Sequence, residues 1–246
     1  MGHERFAARH AWDNTFFLAF VFINWAAVLV GFYPSVSARW AGQADYSAPL
    51  ILQVHVFAFA GWLVMLVVQL VLVRLGRVGW HRKSGWLTLL LAPIMVVTAI
   101  GAEVMSQRFY TPMFPDNARF FIEPIVQMAV FSGCVAAAVL LRRNPATHKR
   151  LMLLATSAAL VAAYNRWWGE TIYEWWGDGF WGMIAHNYAG PDLLMAMLVG
   201  YDLIARRRIH KAYLIGVPLI LASQLVASAV YHSDWWPPLS ERLAGV

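Results

Sequence analysis

Residues 49–74 read PLILQVHVFAFAGWLVMLVVQLVLVR, and this stretch decides the fold. It carries no acidic residue, and its only basic residue is Arg74 at the end. An α-helix needs about 20 mostly apolar residues to cross the hydrocarbon core of a bilayer. The stretch is long enough and apolar enough to predict a transmembrane helix.

Six further apolar blocks lie along the chain, at about residues 14–33, 85–104, 120–141, 150–165, 189–205 and 211–231. Hydrophobic residues make up 60% of the chain and charged residues only 13%, whereas a soluble domain carries roughly 25% charge. The connections between blocks are short, so little chain is left for a soluble domain. We therefore predict one all-α transmembrane domain over residues 1–246, a polytopic membrane helix bundle of about seven transmembrane helices.

Positive charge is concentrated in alternate connections between the blocks. Most of the 19 Lys and Arg residues lie before the first block or between blocks two and three, four and five, and six and seven. Connections rich in Lys and Arg stay in the cytoplasm, so the N-terminus and these three connections are predicted to be cytoplasmic. The net charge of +6 is then explained by the basic residues of the cytoplasmic connections. We expect the lipid bilayer as partner, with anionic lipid at the inner connections and no nucleic acid.

Tryptophan and acidic residues collect at the opposite, outer ends of the blocks. Residues 166–186 hold five of the 13 Trp residues together with several acids. Trp prefers the headgroup level of a membrane, where its ring is in apolar surroundings and its N–H is wet. This segment is predicted to lie at the outer interface, although Gly177, Gly179 and Gly182 disfavour one regular helix through it.

The three cytoplasmic connections share a pattern. Each has an Arg, then a His four or five residues later, then a basic residue and the start of a helix; the histidines are His81, His148 and His210. The pattern predicts three helical hairpins repeated in one orientation after a single first helix. Two roles stay open for these histidines: hydrogen bonds within the loop or to lipid headgroups, and axial ligation of a haem between facing helices.

The same repeat brings six polar side chains to one height. The six are Glu103, Glu170 and His232, each twenty-two residues after a loop histidine, and His55, Glu123 and His186, a similar distance before one. Twenty-two residues of helix climb about 33 Å, which matches the hydrocarbon thickness. Imidazole and carboxylate groups suit zinc, iron or copper, and bundles build such sites from inward side chains. The six predict a metal ion or haem b at the outer, periplasmic mouth.

A second polar set lies about one helical turn deeper. Asp192 and Arg166 either pair with each other or serve a substrate, and Gln127 can hydrogen-bond across helices. Ionisable residues inside a membrane often mark substrate or ion pathways. Three functions stay open: a redox-linked metal or haem protein, a proton-coupled transporter or channel, and an accessory subunit of a larger membrane complex. An enzyme of this kind would be a membrane metal-dependent oxidoreductase or, as a weaker alternative, a zinc hydrolase.

Several motifs resemble a known group of proteins. They are His55, the stretch Gly76-Arg77-x-x-x-His81-Arg82-x-x-Gly85, and His148-Lys149-Arg150 running on to Arg166. Together they resemble uncharacterised bacterial multi-pass membrane proteins of the domain-of-unknown-function type. The resemblance covers most of blocks two to five and implies the fold and the bacterial inner membrane. The step from His81 to Gly85 is more distantly similar to ascorbate-linked b-type cytochromes, which implies haem b, but mid-helix histidine partners for an inner haem are missing.

Overall fold

A computed structural model of the protein describes residue 6 and residues 9–246. Every regular element in this part of the chain is helical. The α-helices are α1 (Asp13–Trp40), α2 (Leu50–Arg74), α3 (Val78–Tyr110), α4 (Ile122–Leu140), α5 (Pro145–Ala158), α6 (Val161–Tyr164), α7 (Glu170–Trp176), α8 (Phe180–Arg206), α9 (Lys211–Tyr231) and α10 (Trp236–Ala244). A 3₁₀ segment at Pro115–Phe121 leads into α4, and a π-helical segment at Asn165–Gly169 joins α6 to α7. The prediction of an all-α chain is confirmed.

Five helices are long and apolar enough to cross a membrane. They are α1, α2, α3, the stretch Pro115–Leu140 that includes α4, and α9. Large apolar side chains cover their outward surfaces, with Phe22 72% exposed and Phe57 75% exposed. Such surfaces are stable against lipid and costly against water, because apolar area in water is unfavourable. The chain is therefore a multi-pass integral membrane protein.

The helix ends gather in two groups, one at each end of the bundle. At the basic end, the Lys149 Nζ lies 2.8 Å from the Asp13 Oδ2, and the His81 and His148 rings lie 6.3 Å apart. At the other end, the Arg108 Nε donates to the carbonyl of Ala244 at 2.7 Å. The basic connections thus share one end, as the topology prediction requires.

One helical stretch, from α5 through α7, runs through the middle of the bundle, and we call it the central helix (residues 145–176). Nearly every side chain of α5 beyond its first turn is buried, which is typical of a helix surrounded by other helices. The Trp62 indole of α2 donates to the Thr156 hydroxyl at 3.1 Å. A small residue lets α1 approach the central helix closely, since a Cβ on Gly31 would lie 2.2 Å from the Ala163 carbonyl oxygen.

The central helix is irregular where apolar block five predicted a regular span at 150–165. The Leu160 N–H bonds back only three residues to the Ser157 carbonyl at 3.2 Å, so the i→i−4 pattern is interrupted at 159–160. The Thr156 and Ser157 hydroxyls donate to carbonyls one turn earlier, at 2.9 and 3.0 Å. Such bonds bend helices. The π-helical segment at Asn165–Gly169 follows directly, and segments of this kind often mark functional sites.

The Trp-rich residues 166–186 belong to two helices. The central helix continues to Trp176, the chain turns at residues 177–179 with Gly177 at φ +69°, and α8 begins at Phe180. Glycine adopts this left-handed φ without steric cost, which explains the tight turn. The exposed Trp175 and Trp181 lie on either side of this turn, at the level where tryptophan is favoured.

Candidate functional site

Two carboxyl groups lie between α4, α8 and α9, Glu123 buried and Asp192 half-buried, and we call them the carboxyl pair (Glu123 and Asp192). Glu123 is 1% exposed, its Oε2 accepts from the Tyr188 hydroxyl, and its Oε1 has no hydrogen-bond partner among the described residues. Asp192 lies one turn beyond Tyr188 on α8, and its Oδ1 accepts from the Gln224 Nε2 at 2.6 Å. Both carboxyls are held by neutral donors. Since a buried carboxylate without a cation is costly, the pair is suited to binding and releasing protons.

A small cavity adjoins the carboxyl pair. Its volume of about 20 Å³ is enough for one water molecule. Its lining includes Gln127 from α4, Tyr188 from α8 and Gln224 from α9. Ala158 and Val161, on the two sides of the interruption in the central helix, complete the wall. The break therefore lies beside polar side chains and space for water.

A second polar site lies on the opposite flank of the central helix, and we call it the outer crevice (Phe32, His55, Glu103 and Arg166). Arg166 lies within electrostatic range of the Glu103 carboxylate and the His55 ring, and its guanidinium lies 4.9 Å from the Phe32 ring centroid. Protein surrounds Arg166, yet much of its surface is accessible. A guanidinium exposed to lipid tails would be very costly, so the outer crevice must admit water or a polar ligand.

Arg166 is anchored only weakly by the protein. Its Nη1 donates to the Ala162 carbonyl at 3.2 Å, and no ion pair within 4.0 Å involves it in the part of the chain that the structure describes. The His55 Nδ1 is buried without a hydrogen-bond partner in the same described part. Several donors of Arg166 are therefore available to a ligand in the outer crevice.

Asn24 adds an unsatisfied polar group in the middle of α1. It is 0% exposed, and neither its amide nitrogen nor its amide oxygen has a partner within residues 9–246. Because α1 and the central helix meet at Asp13–Lys149 and again at Gly31–Ala163, the two rise in parallel. Asn24 lies seven residues before Gly31, about 10 Å lower, which places it near the interruption at 159–160.

The inner end of the central helix is closed by ion pairs, and we call this the inner network (Asp13, Lys149, Arg150, Asp202 and Arg206). Arg150 and Asp202 are each 1% exposed and share two hydrogen bonds, one of 2.8 Å from the Arg150 Nε. Asp13 accepts from Lys149 at 2.8 Å and lies 3.3 Å from the Arg206 guanidinium. These contacts tie α1, the central helix and α8 together.

His210 covers the inner network from the connection before α9. Its ring Nδ1 accepts from the Ala212 backbone N–H at 3.0 Å, and the backbone N–H of His210 donates to the Asp202 carboxylate at 3.2 Å. Burial, followed by the charge of Arg150, lowers the pKa of His210 to about 4. His210 is thus a neutral helix cap. His81 and His148 face each other nearby, and the His148 Nδ1 lies 2.8 Å from the Ala138 carbonyl oxygen.

The structure does not bring the six predicted outer ligands to one point. His55 and Glu103 share the outer crevice, and Glu123 lies across the central helix from them. His186 lies 3.2 Å from the Asn165 amide, and Glu170 is exposed. The equal heights derived from the repeat therefore do not imply a common centre, because the helices stand at different positions around the bundle.

His232 lies against the backbone of two segments. Its Nδ1 lies 2.8 Å from the Ser228 carbonyl oxygen and its Nε2 lies 3.0 Å from the Asp178 carbonyl oxygen, and its role as a ligand stays a prediction. No group of three or more His, Cys, Asp or Glu side chains close enough to hold a metal occurs in residue 6 and residues 9–246. The metal ion or haem b at the outer mouth stays a prediction from sequence, and these residues do not fit it as a group.

The predicted pathway residues are separated in the same way. Arg166 and Asp192 do not pair: Arg166 faces Glu103, and Asp192 bonds to Gln224. Gln127 lines the small cavity together with Tyr188 and Gln224, and its hydrogen bond across helices stays a prediction. The sequence reasoning missed Asn24, whose signal was a single amide in an otherwise apolar block, and Tyr188, which is the hydrogen-bond partner of Glu123.

Comparison of the chain with protein-family models, with curated proteins and with solved structures finds no match. The resemblance drawn from His55, His81 and Arg166 therefore stays a prediction.

Proposed function

We propose that this protein crosses the bacterial inner membrane seven times with its N-terminus in the cytoplasm. Five spans are long and apolar, and the central helix and α8 would be the other two. The 27 residues of α8 extend about 40 Å, enough to cross the hydrocarbon core with some tilt. The gathering of the basic connections at one end supports the cytoplasmic position of that end.

We propose further that the protein is a proton-coupled transporter. The observation that carries this proposal is the interrupted central helix, with the carboxyl pair on one flank and the outer crevice on the other. Transporters build substrate and ion sites from discontinuous helices near the middle of the membrane, because unwound backbone is tolerated there only beside protein or a water-filled space.

Each part of the path has a distinct role in this proposal. The outer crevice receives solute from the periplasmic side through Arg166, since that guanidinium is accessible. Glu123 and Asp192 carry the coupled proton, because Glu123 is buried, Asp192 is half-buried and both are held by neutral donors. The inner network closes the cytoplasmic side, because its ion pairs join helices on both sides of the central helix. In this proposal the transporter is open outward and closed inward.

Proton flux in liposomes tests the proposal, with a panel of small solutes supplied outside the vesicles, because a coupled transporter moves no proton without its solute. Purified protein is reconstituted with a trapped pH-sensitive dye, and an inward potential is imposed with potassium and valinomycin. The wild-type protein should acidify the lumen faster than empty liposomes. Glu123→Gln and Asp192→Asn should each lower the rate at least about tenfold, because an amide cannot carry the proton through the carboxyl pair.

The matched control is Glu174→Gln, which removes one carboxylate from an exposed outer position. It should leave the flux at the wild-type level. Equal rates for the wild-type protein and empty liposomes would contradict proton transport. Equal losses in Glu174→Gln and Glu123→Gln would contradict the assignment of the path to the carboxyl pair.

A further inference from the structure

The outer crevice combines a cation, an acid and an imidazole with aromatic walls. We propose that it binds a small organic anion through Arg166, and that protonation of Glu103 strengthens this binding. The inference names the substrate class of the proposed transporter and rests on that function. The occupant is a carboxylate-bearing solute that enters from the periplasmic side.

The guanidinium of Arg166 supplies the anion contact. Arginine has five N–H donors in a planar fork that matches a carboxylate with two parallel hydrogen bonds. In the described part of the chain, one of these donors reaches a protein acceptor, the Ala162 carbonyl at 3.2 Å. Arg150, by contrast, satisfies its fork with Asp202. The open fork of Arg166 is what a carboxylate ligand requires.

Glu103 determines when the charge of Arg166 is available. It is the principal charged neighbour of Arg166, and its Oε1 accepts from the Gln107 Nε2 at 2.7 Å. An ionised Glu103 neutralises Arg166 and repels an anion. A protonated Glu103 leaves the guanidinium uncompensated, so a proton and an anion favour each other's binding. The affinity of the outer crevice for an anion therefore depends on pH through Glu103, separately from the proton that the carboxyl pair carries.

The other groups around the outer crevice do not replace Glu103 in this role. His55 faces Arg166 from α2, and Tyr46 and Tyr110 lie in electrostatic range near the outer helix ends. From α1, the neighbour of the guanidinium is the apolar ring of Phe32. Among the residues that the structure describes, Glu103 is thus the one carboxylate that acts on Arg166.

The walls of the outer crevice favour an anion with an apolar body. Phe32 lies 4.9 Å from the guanidinium, and the Phe59 ring lies 4.3 Å from the His55 ring. Aromatic rings beside an arginine accommodate a planar carboxylate such as benzoate, which we choose as the principal probe.

Isothermal titration calorimetry on the detergent-solubilised protein tests the inference. Benzoate, acetate and inorganic phosphate are titrated at pH 5.5 and pH 7.5, with benzylamine as the cationic counterpart. Benzoate should bind tighter at pH 5.5 than at pH 7.5. Glu103→Gln should lose this pH dependence, because its side chain is always neutral.

Variants of Arg166 locate the anion contact. Arg166→Gln should abolish binding, and Arg166→Lys should weaken it about tenfold, because lysine keeps the charge and loses the fork. Glu174→Gln is the exposed control and should bind like the wild-type protein. Arg166→Lys keeps the inference testable if Arg166→Gln does not fold.

Three results would overturn the inference: no binding of any of the three anions, preference for benzylamine, or unchanged pH dependence in Glu103→Gln. A lipid source is distinguished in nanodiscs of phosphatidylcholine with and without phosphatidylglycerol. Displacement of benzoate by the anionic lipid would assign Arg166 to a headgroup and overturn the soluble-anion assignment. Anion binding without proton flux would contradict the proposed transport alone, and flux without anion binding would contradict this inference alone.

Discussion

Two arginines of the central helix, Arg150 and Arg166, differ sharply in their surroundings. Arg150 is 1% exposed and bonds through its fork to the equally buried Asp202. Arg166 is accessible, and its charge faces Glu103 with no ion pair within 4.0 Å among the described residues. Sequence alone does not distinguish them, since both follow a loop histidine on one helix.

The difference shows how one helix separates stability from function. Removing one partner of a buried ion pair leaves an uncompensated charge and typically costs about 3 to 5 kcal/mol. An accessible arginine with loose partners contributes little to folding and is free to bind a ligand. We therefore assign Arg150 to the inner network that holds the helices and Arg166 to the outer crevice that binds solute.

The largest expected effect compares the two arginines directly. Arg150→Met should lower the free energy of unfolding by about 3 kcal/mol or more, because it leaves Asp202 charged and unpaired. Arg166→Met should change it by less than about 1 kcal/mol. Thermal unfolding in detergent, followed by circular dichroism, measures both. Similar losses in the two variants would show that Arg166 is also structural.

Close packing around the π-helical segment gives the next largest effect. A Cβ on Gly190 of α8 would lie 2.1 Å from the Tyr164 Cγ, just before the segment that carries Arg166. Gly190→Ala should destabilise the protein by about 1 to 3 kcal/mol through overpacking. Gly200→Ala on the same helix meets nothing within 4 Å and should be neutral or slightly stabilising. Equal melting temperatures for the two variants would contradict the described contact of α8 with Tyr164.

Substitution of Asn24 tests whether the part of the bundle between Arg150 and Arg166 takes part in transport. Replacing its unsatisfied buried amide by an apolar group in Asn24→Leu should stabilise the fold by about 1 kcal/mol. The same variant should slow proton flux, because the amide is the polar group of α1 near the interruption. A stabilised variant with wild-type flux would remove Asn24 from the path.

The smallest expected effect concerns pH at the end that holds Arg150. Burial lowers the pKa of His210 to about 4, from an ordinary value of about 6.5. Between pH 6.5 and pH 4, His210 therefore binds a proton in the unfolded chain and stays neutral in the folded protein. The free energy of unfolding consequently falls as the pH falls through this window. His210→Asn keeps a capping acceptor and cannot titrate, so its melting temperature should fall less steeply in this window. Parallel slopes would contradict a neutral His210.

The sequence contains enough information for the fold class and the two ends of the bundle. Residues 50–74 and 211–231 are helices within a residue of the predicted blocks, because long apolar runs have no alternative to a membrane helix. The grouping of the basic connections follows from charge alone. Block five was harder, because the interruption at 159–160 occurs without proline or glycine and depends on Thr156, Ser157 and the neighbouring helices.

The candidate site was predictable in its residue types and not in its geometry. His55 and Glu103 were singled out as outer ligands and Arg166 as a residue one turn deeper, and in the structure Arg166 lies within electrostatic range of both. Glu123 and Asp192 were singled out too, yet they lie on the other flank. Height along a helix can be counted from sequence, whereas the direction of each side chain around the bundle depends on helix packing.

The proposed transport requires that the outer half of the central helix is open to water while the inner half is closed. Accessibility of single cysteines to a membrane-impermeant maleimide tests this directly, in a Cys134→Ala background that removes the one natural thiol. We predict that Arg166→Cys is labelled from the periplasmic side and that Ala155→Cys, at a position 0% exposed, is labelled from neither side. An unreactive Arg166→Cys, with an exposed cysteine such as Glu174→Cys labelled in the same membranes, would contradict an outer half that is open to water.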